Sequence, residues 1–117
     1  MSDNFIIYHN PRCSKSRQTL TLLEENGIHP KIVLYLETPP DKKELSGLLK
    51  NLGISARELL RKNEDAYKEL GLADTSLSES KLIDAMIKEP KLIERPIVIK
   101  GKLAVLGRPP ENVLELL

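Results

Sequence analysis

Apolar residues along this chain fall into short runs at both ends and helical stripes in the middle. "FIIYH" (5–9) is short, apolar, β-branched and aromatic, which predicts a buried strand. "CSKSRQTLTLLEENG" (13–27) predicts a helix. Thr19, Leu20 and Leu23 share one face, Leu22 broadens it, and Asn26-Gly27 is a stop signal. "KIVLYLE" (31–37) predicts a second strand, so the first segment reads as a right-handed, parallel βαβ unit. A helical block follows. Asp41 with Glu44 caps the stripe Leu45, Leu48, Leu49 and Leu52. Ser55 with Glu58 opens a second helix, "EDAYKELGL" is a third ending near Gly71, and Ser76 with Glu79 forms a box before "SKLIDAMIKEP". The character then changes again. "PIVI" and "LAVL" are short strands separated by "KGK", a hairpin signal. Pro109-Pro110-Glu111 opens a terminal helix, with proline suited to a first turn.

The element order is βαβ, helical insertion, ββα. It predicts an α/β fold of thioredoxin-like (glutaredoxin-like) type, with a four-stranded mixed sheet. A single domain over 1–117 is expected, carrying a helical insertion at about 41–89.

Composition narrows the class. The 117 residues suit one domain with its own core, and with no Trp and one Phe that core must be Leu, Ile and Val. The net charge of +1 gives no reason to invoke nucleic acid or an anionic membrane. The distribution of charge says more. Residues 9–17 hold Arg12, Lys15 and Arg17 with no acid, and residues 95–109 hold Arg95, Lys100, Lys102 and Arg108 with no acid. If the two stretches meet, they form an electropositive site in a nearly neutral protein. One Cys excludes an internal disulfide, and one Cys with two His cannot close a four-ligand structural zinc site. "MSDNF" runs straight into a strand-like segment, and no apolar run approaches the ~20 residues of a membrane span. A soluble protein of a reducing cytoplasm is the expectation.

The candidate chemistry sits at Cys13, between the first strand and the first helix. Sites in open α/β sheets lie at the carboxyl ends of strands, and a helix N-terminus offers free N–H groups and partial positive charge. Such a setting favours a thiolate. The bland reading is a small buried hydrophobe. Its surroundings, Asn-Pro-Arg-Cys-Ser-Lys-Ser-Arg, are polar on both sides and favour a functional thiol. "CSKS" places Ser16 where a C-x-x-C dithiol would have its second cysteine, and Thr19 stands where a phosphatase-type loop needs Arg. What remains is a thiolate that attacks an anionic substrate and is resolved by an external thiol.

"YHNPRCSKSRQTL", "VLYLETPP", "LLRKNEDAYKELGL", "LIDAMIKEPKLIERPIVI" and "LGRPPENVLELL" together resemble the ArsC family, the glutaredoxin-dependent arsenate reductases, and within it the short YfgD-like members. The resemblance covers essentially the whole chain. It implies that Cys13 is the nucleophile toward arsenate and that Arg61, Arg95 and Arg108 cradle the oxyanion. It credits His9 with supporting the thiolate. It implies no bound cofactor and no metal, glutathione as co-substrate, and glutaredoxin as protein partner. In that fold the proline matching Pro96 is cis and faces the cysteine; if Pro96 is cis, Arg95 is delivered to the site. Arginine suits the task, since its planar fork matches tetrahedral oxyanions and never loses its charge.

Duller readings stand beside these. Arg61 also reads as a helix cation paired with Glu58 or Asp65, Arg57 as a solvated cation, and His9 as a structural histidine. Arg12 and Arg17 are weaker candidates, and His29 precedes a proline in a turn. Better-studied members carry Ala-Cys-Gly-Thr-Ser-Arg where this chain has Arg12-Cys13-Ser14-Lys15-Ser16-Arg17. Two other functions stay open: a Spx-like regulator that binds RNA polymerase, and a glutathione-dependent monothiol reductase with another substrate.

Overall fold

The structure, a computed structural model, describes residues 4–117. Met1–Asp3, on which the reading of the N-terminus partly rests, lie outside them. The chain divides into two compact units. One takes in the chain up to Thr38 together with Arg95–Leu117, and the other is Pro39–Glu94.

The first unit is built on a mixed sheet in the order β2-β1-β3-β4, with β1 (Phe5–Tyr8), β2 (Lys31–Val33), β3 (Ile97–Lys100) and β4 (Leu103–Leu106). β1 and β2 are parallel, joined across α1 (Ser14–Glu25), while β1–β3 and β3–β4 are antiparallel. This is the thioredoxin-like order expected from the element sequence. Side chains alternate across each strand, and the register aligns Ile7 with Val98 and Val98 with Val105. With Phe5 they make one apolar face, closed by Leu23 of α1 and by Val113 and Leu116 of a terminal 3₁₀ helix, Pro110–Leu116. Burying each of these side chains stabilises the unit by roughly 1.5–3 kcal/mol. The buried stripe of α1 is Ser16, Thr19 and Leu23. Its polar upper part is what the sheet end receives. At the other end Gly27, at φ +78°, lets the Ile28 amide turn back to Leu23 O and stops the helix.

Two expectations need correction here. The second strand is only three residues long. Its ladder ends where the His9 amide bonds Val33 O at 2.9 Å. The chain then turns, with the Glu37 and Thr38 amides both on Leu34 O. The apolar run 34–36 is therefore explained by a buried turn residue, Tyr35, and not by strand pairing. The terminal helix is 3₁₀ rather than α. The Asn112 amide group bonds the Leu106 and Arg108 carbonyls behind its prolines.

The second unit holds α2 (Lys42–Leu52), α3 (Ala56–Leu59), α4 (Asp65–Glu69), α5 (Glu79–Lys88) and a 3₁₀ turn, Pro90–Leu92. α2, α3 and the 3₁₀ turn each pack on α5. Asp41 caps α2 through the Glu44 amide, and Ser55 and Glu58 form the expected box on α3. The α5 cap differs from the expected pair. Ser78 accepts from the Lys81 amide, whereas Ser76 is held by Asp74. Among the described residues no helix is long and apolar enough to cross a membrane.

Candidate active site

The sheet register fixes where the site lies. Tyr8 ends β1 and pairs with Ile97, which starts β3, and Ile97 pairs with Leu106, which ends β4. The loop that leaves β1, the segment that enters β3 and the segment that leaves β4 therefore meet at one end of the sheet. Cys13 is on the first, Arg95 on the second and Arg108 on the third.

The loop is tied by its own backbone. Asn10 Oδ1 accepts the Arg12 amide at 3.0 Å, and Asn10 O accepts the Cys13 amide at 3.0 Å. Cys13 is thereby delivered in extended conformation (φ −94°, ψ 122°) as the N-cap of α1. It is half-buried and is the free thiol of the chain. Burial pushes its pKa up. The Ser16 amide, a hydrogen bond from the Arg95 side chain, the charge of Arg95 and the Lys15 amide pull it down, and the balance lies below the ordinary thiol value. The two amides act on the sulfur as free donors of the first helical turn, without closing a cap hydrogen bond of regular geometry.

Arg95 is half-buried and directed at the thiol. Arg108 is exposed, and its Nη1 donates to Arg95 O at 3.3 Å, so the two cations share one corner of the sheet end. The Arg95–Pro96 and Arg108–Pro109 peptide bonds are both cis. Gly107 N donates to Pro96 O at 2.9 Å and carries the β3–β4 pairing one step beyond the strands.

His9 is buried and meets the site indirectly. Its Nδ1 lies 2.7 Å from Ser16 Oγ, and the Asn10 amide donates to the same oxygen at 3.0 Å. Burial, and then the charge of Arg17, depress the His9 pKa, so the ring is neutral at pH 7. Ser16 Oγ accepts from the Asn10 amide and shares a second hydrogen bond with Nδ1, its direction set by the ring tautomer. The histidine thus holds Ser16, whose amide faces the sulfur. His9 itself is not among the groups that act on the Cys13 sulfur.

The structure brings Cys13, His9, Arg95 and Arg108 together in the first unit. Arg61 belongs to the second. There its Nη1 pairs with Glu94 at 2.8 Å and its Nε with Glu64 at 3.3 Å, and the duller reading with Glu58 or Asp65 is replaced by these partners. Its backbone is fixed by the Leu60–Ile93 bridge and by its amide on Leu92 O. Arg57, read as solvated, instead donates through both fork nitrogens to Leu72 O and Asp74 O, each at 2.9 Å. Arg17 is exposed and reaches Pro11 O at 3.0 Å. Among the described residues no three His, Cys, Asp or Glu side chains gather as a metal site.

Sequence reasoning missed Ser16 and Asn10 as working parts. A signal existed for Ser16. Counted from an N-cap at Cys13 it is the third helical residue, whose amide is the one an N-cap group accepts.

A half-buried thiol at a helix N-terminus beside Arg95, with Arg108 bonded to the Arg95 carbonyl, is equipped to hold a tetrahedral anion against a nucleophile. The model of the ArsC family matches residues 8–116. The protein YfgD of Escherichia coli K12 is 63% identical over 117 residues, 99% of this chain and 98% of its own. An arsenate reductase of Haemophilus influenzae is 51% identical over 113 residues, 96% of this chain and 97% of its own. The solved structure of an arsenate reductase from Vibrio cholerae superposes with a TM-score of 0.97 at 52% identity, covering 100% of both chains.

Proposed function

Given that the chain belongs to the ArsC family, we propose that it is an arsenate reductase in which Cys13 is the nucleophile. The observation that carries this reading is the Arg95 side chain on the Cys13 sulfur. One cation there does two jobs: it favours the thiolate, and it offsets the repulsion between that thiolate and an incoming anion.

The chemistry follows from one thiol and no second cysteine. The Cys13 thiolate attacks arsenic(V), a sulfur–arsenic bond forms, and a hydroxyl of arsenate leaves as water after taking a proton. Arg95 and Arg108 hold the remaining oxygens through charged hydrogen bonds. Arg61 enters as a third anion-binding residue on the family resemblance alone. Glutathione, as thiolate, displaces a second hydroxyl in the same way. A glutaredoxin thiolate then attacks the glutathione sulfur. A disulfide forms, the sulfur–arsenic bond breaks, and its electron pair stays on arsenic, which becomes arsenic(III). Water releases arsenite, and Cys13 returns to the thiol state. No step uses a resident cofactor or metal.

Arsenate-dependent NADPH oxidation, coupled through glutathione, glutaredoxin and glutathione reductase, tests the proposal. Turnover by the wild type that is lost in Cys13→Ser is the expected result. Folded protein with no turnover in either form would remove arsenate as the substrate. A binding module, by contrast, would keep its partner in Cys13→Ser.

A further inference from the structure

We propose that Thr19, Gly107 and Pro96 form a clasp that sets the spacing between the arginine pair and the thiol, which makes Thr19 and Gly107 positioning residues of the oxyanion site. What that site binds rests on the reading above; the clasp itself rests on geometry.

Thr19 lies on the buried face of the helix that Cys13 caps. Its Oγ1 donates to Lys15 O at 2.8 Å within α1 and also approaches Gly107 O at 3.3 Å, across 88 positions of sequence. A Cβ built on Gly107 would sit 2.6 Å from Thr19 Oγ1, 2.8 Å from Pro96 Cγ and 3.0 Å from Thr19 Cγ2. That is nearer than side chains pack, so the three residues touch with no room for a methyl group. The other five glycines have nothing within 4 Å of the same position. Four of them sit at positive φ, where glycine is a backbone requirement. Gly107 does not, and its requirement is space.

The consequence follows from what adjoins each contact. Arg108 follows Gly107 and Arg95 precedes Pro96. Gly107 N bonds Pro96 O, and Arg108 Nη1 bonds Arg95 O. Arg95 returns to Cys13 at the head of the same helix that carries Thr19. The contacts make a closed ring: thiol, helix, threonine, glycine, arginine, arginine, thiol. Opening it at Gly107 or Thr19 moves both arginines relative to the sulfur while removing no group that would touch the anion.

The test uses Gly107→Ala, Thr19→Val, which keeps the shape and loses the hydroxyl, and Thr19→Ser, which keeps the hydroxyl. Three quantities are read: KM and kcat for arsenate, the pH midpoint of Cys13 alkylation by iodoacetamide, and the melting temperature as a check of folding. The expected result for Gly107→Ala is a KM raised about tenfold, within the roughly 10²-fold that a 1 Å misplacement can cost, with the alkylation midpoint moved up. Thr19→Val moves both in the same direction by less, and Thr19→Ser stays within about twofold of wild type. A folded Gly107→Ala with wild-type KM and midpoint overturns the clasp. Should that variant not fold, unchanged values in Thr19→Val overturn it. If the wild type does not turn over arsenate, the functional reading fails, and the alkylation midpoint still decides the clasp.

Discussion

His9 Nδ1 and Ser16 Oγ lie 2.7 Å apart, buried, with the Asn10 amide on the same oxygen. The histidine is thereby a neutral strut under the first helical turn. Its pKa is depressed by burial and then by Arg17, so the unfolded chain, with an ordinary histidine near 6.5, binds the proton more readily. The stability this group contributes is full above about pH 6.5 and is lost as pH falls through the folded-state value. The difference in melting temperature between wild type and His9→Gln is expected to shrink from pH 7.5 to pH 5. A difference that is flat or grows on acidification contradicts a neutral strut.

The arginines separate into distinct signatures. Arg57 clamps the Leu72 and Asp74 carbonyls, so Arg57→Ala is expected to lower the unfolding free energy by about 1–2 kcal/mol and leave the KM for arsenate unchanged. Arg108 is exposed, and Arg108→Ala is expected to leave the melting temperature nearly unchanged while raising KM by about tenfold, as loss of one charged hydrogen bond would. Arg61→Ala removes two ion pairs and is expected to move both. Denaturant titration and steady-state kinetics on the three variants check this ordering.

The start of α5 is a sharper test of local structure. Ser78 accepts the Lys81 amide at 3.2 Å, and Ser76 is occupied by Asp74. Ser78→Ala is expected to cost about 1 kcal/mol and Ser76→Ala less, measured by chemical denaturation. The reverse order would place the cap at Ser76.

That case shows why part of the structure was legible and part was not. Periodicity found the helices and strands, because burial of Leu45, Leu48 and Leu49 or of Ile97, Val98 and Ile99 is what the pattern encodes. The Ser76–Glu79 spacing satisfied the capping rule but lost to a tertiary contact. Glu79 Oε2 accepts the Ala56 amide at 2.8 Å and so serves α3 instead of its own helix. The second strand was overread for a related reason: Tyr35 is apolar and buried, but by a turn. At the site, Cys13 and the two cationic stretches were visible as chemistry. Ser16, Asn10, Thr19 and Gly107 were not, since each acts through a partner that only the fold supplies.

The central claim is that the first turn of α1 and Arg95 lower the Cys13 pKa and so favour the thiolate that attacks an anion. The rate of alkylation by iodoacetamide as a function of pH, in wild type and in Arg95→Met, tests it most directly. The account predicts a wild-type midpoint below the roughly 8.5 of a free cysteine, and a higher midpoint in Arg95→Met. A wild-type midpoint at the free-cysteine value, or one that Arg95→Met does not move, would contradict it.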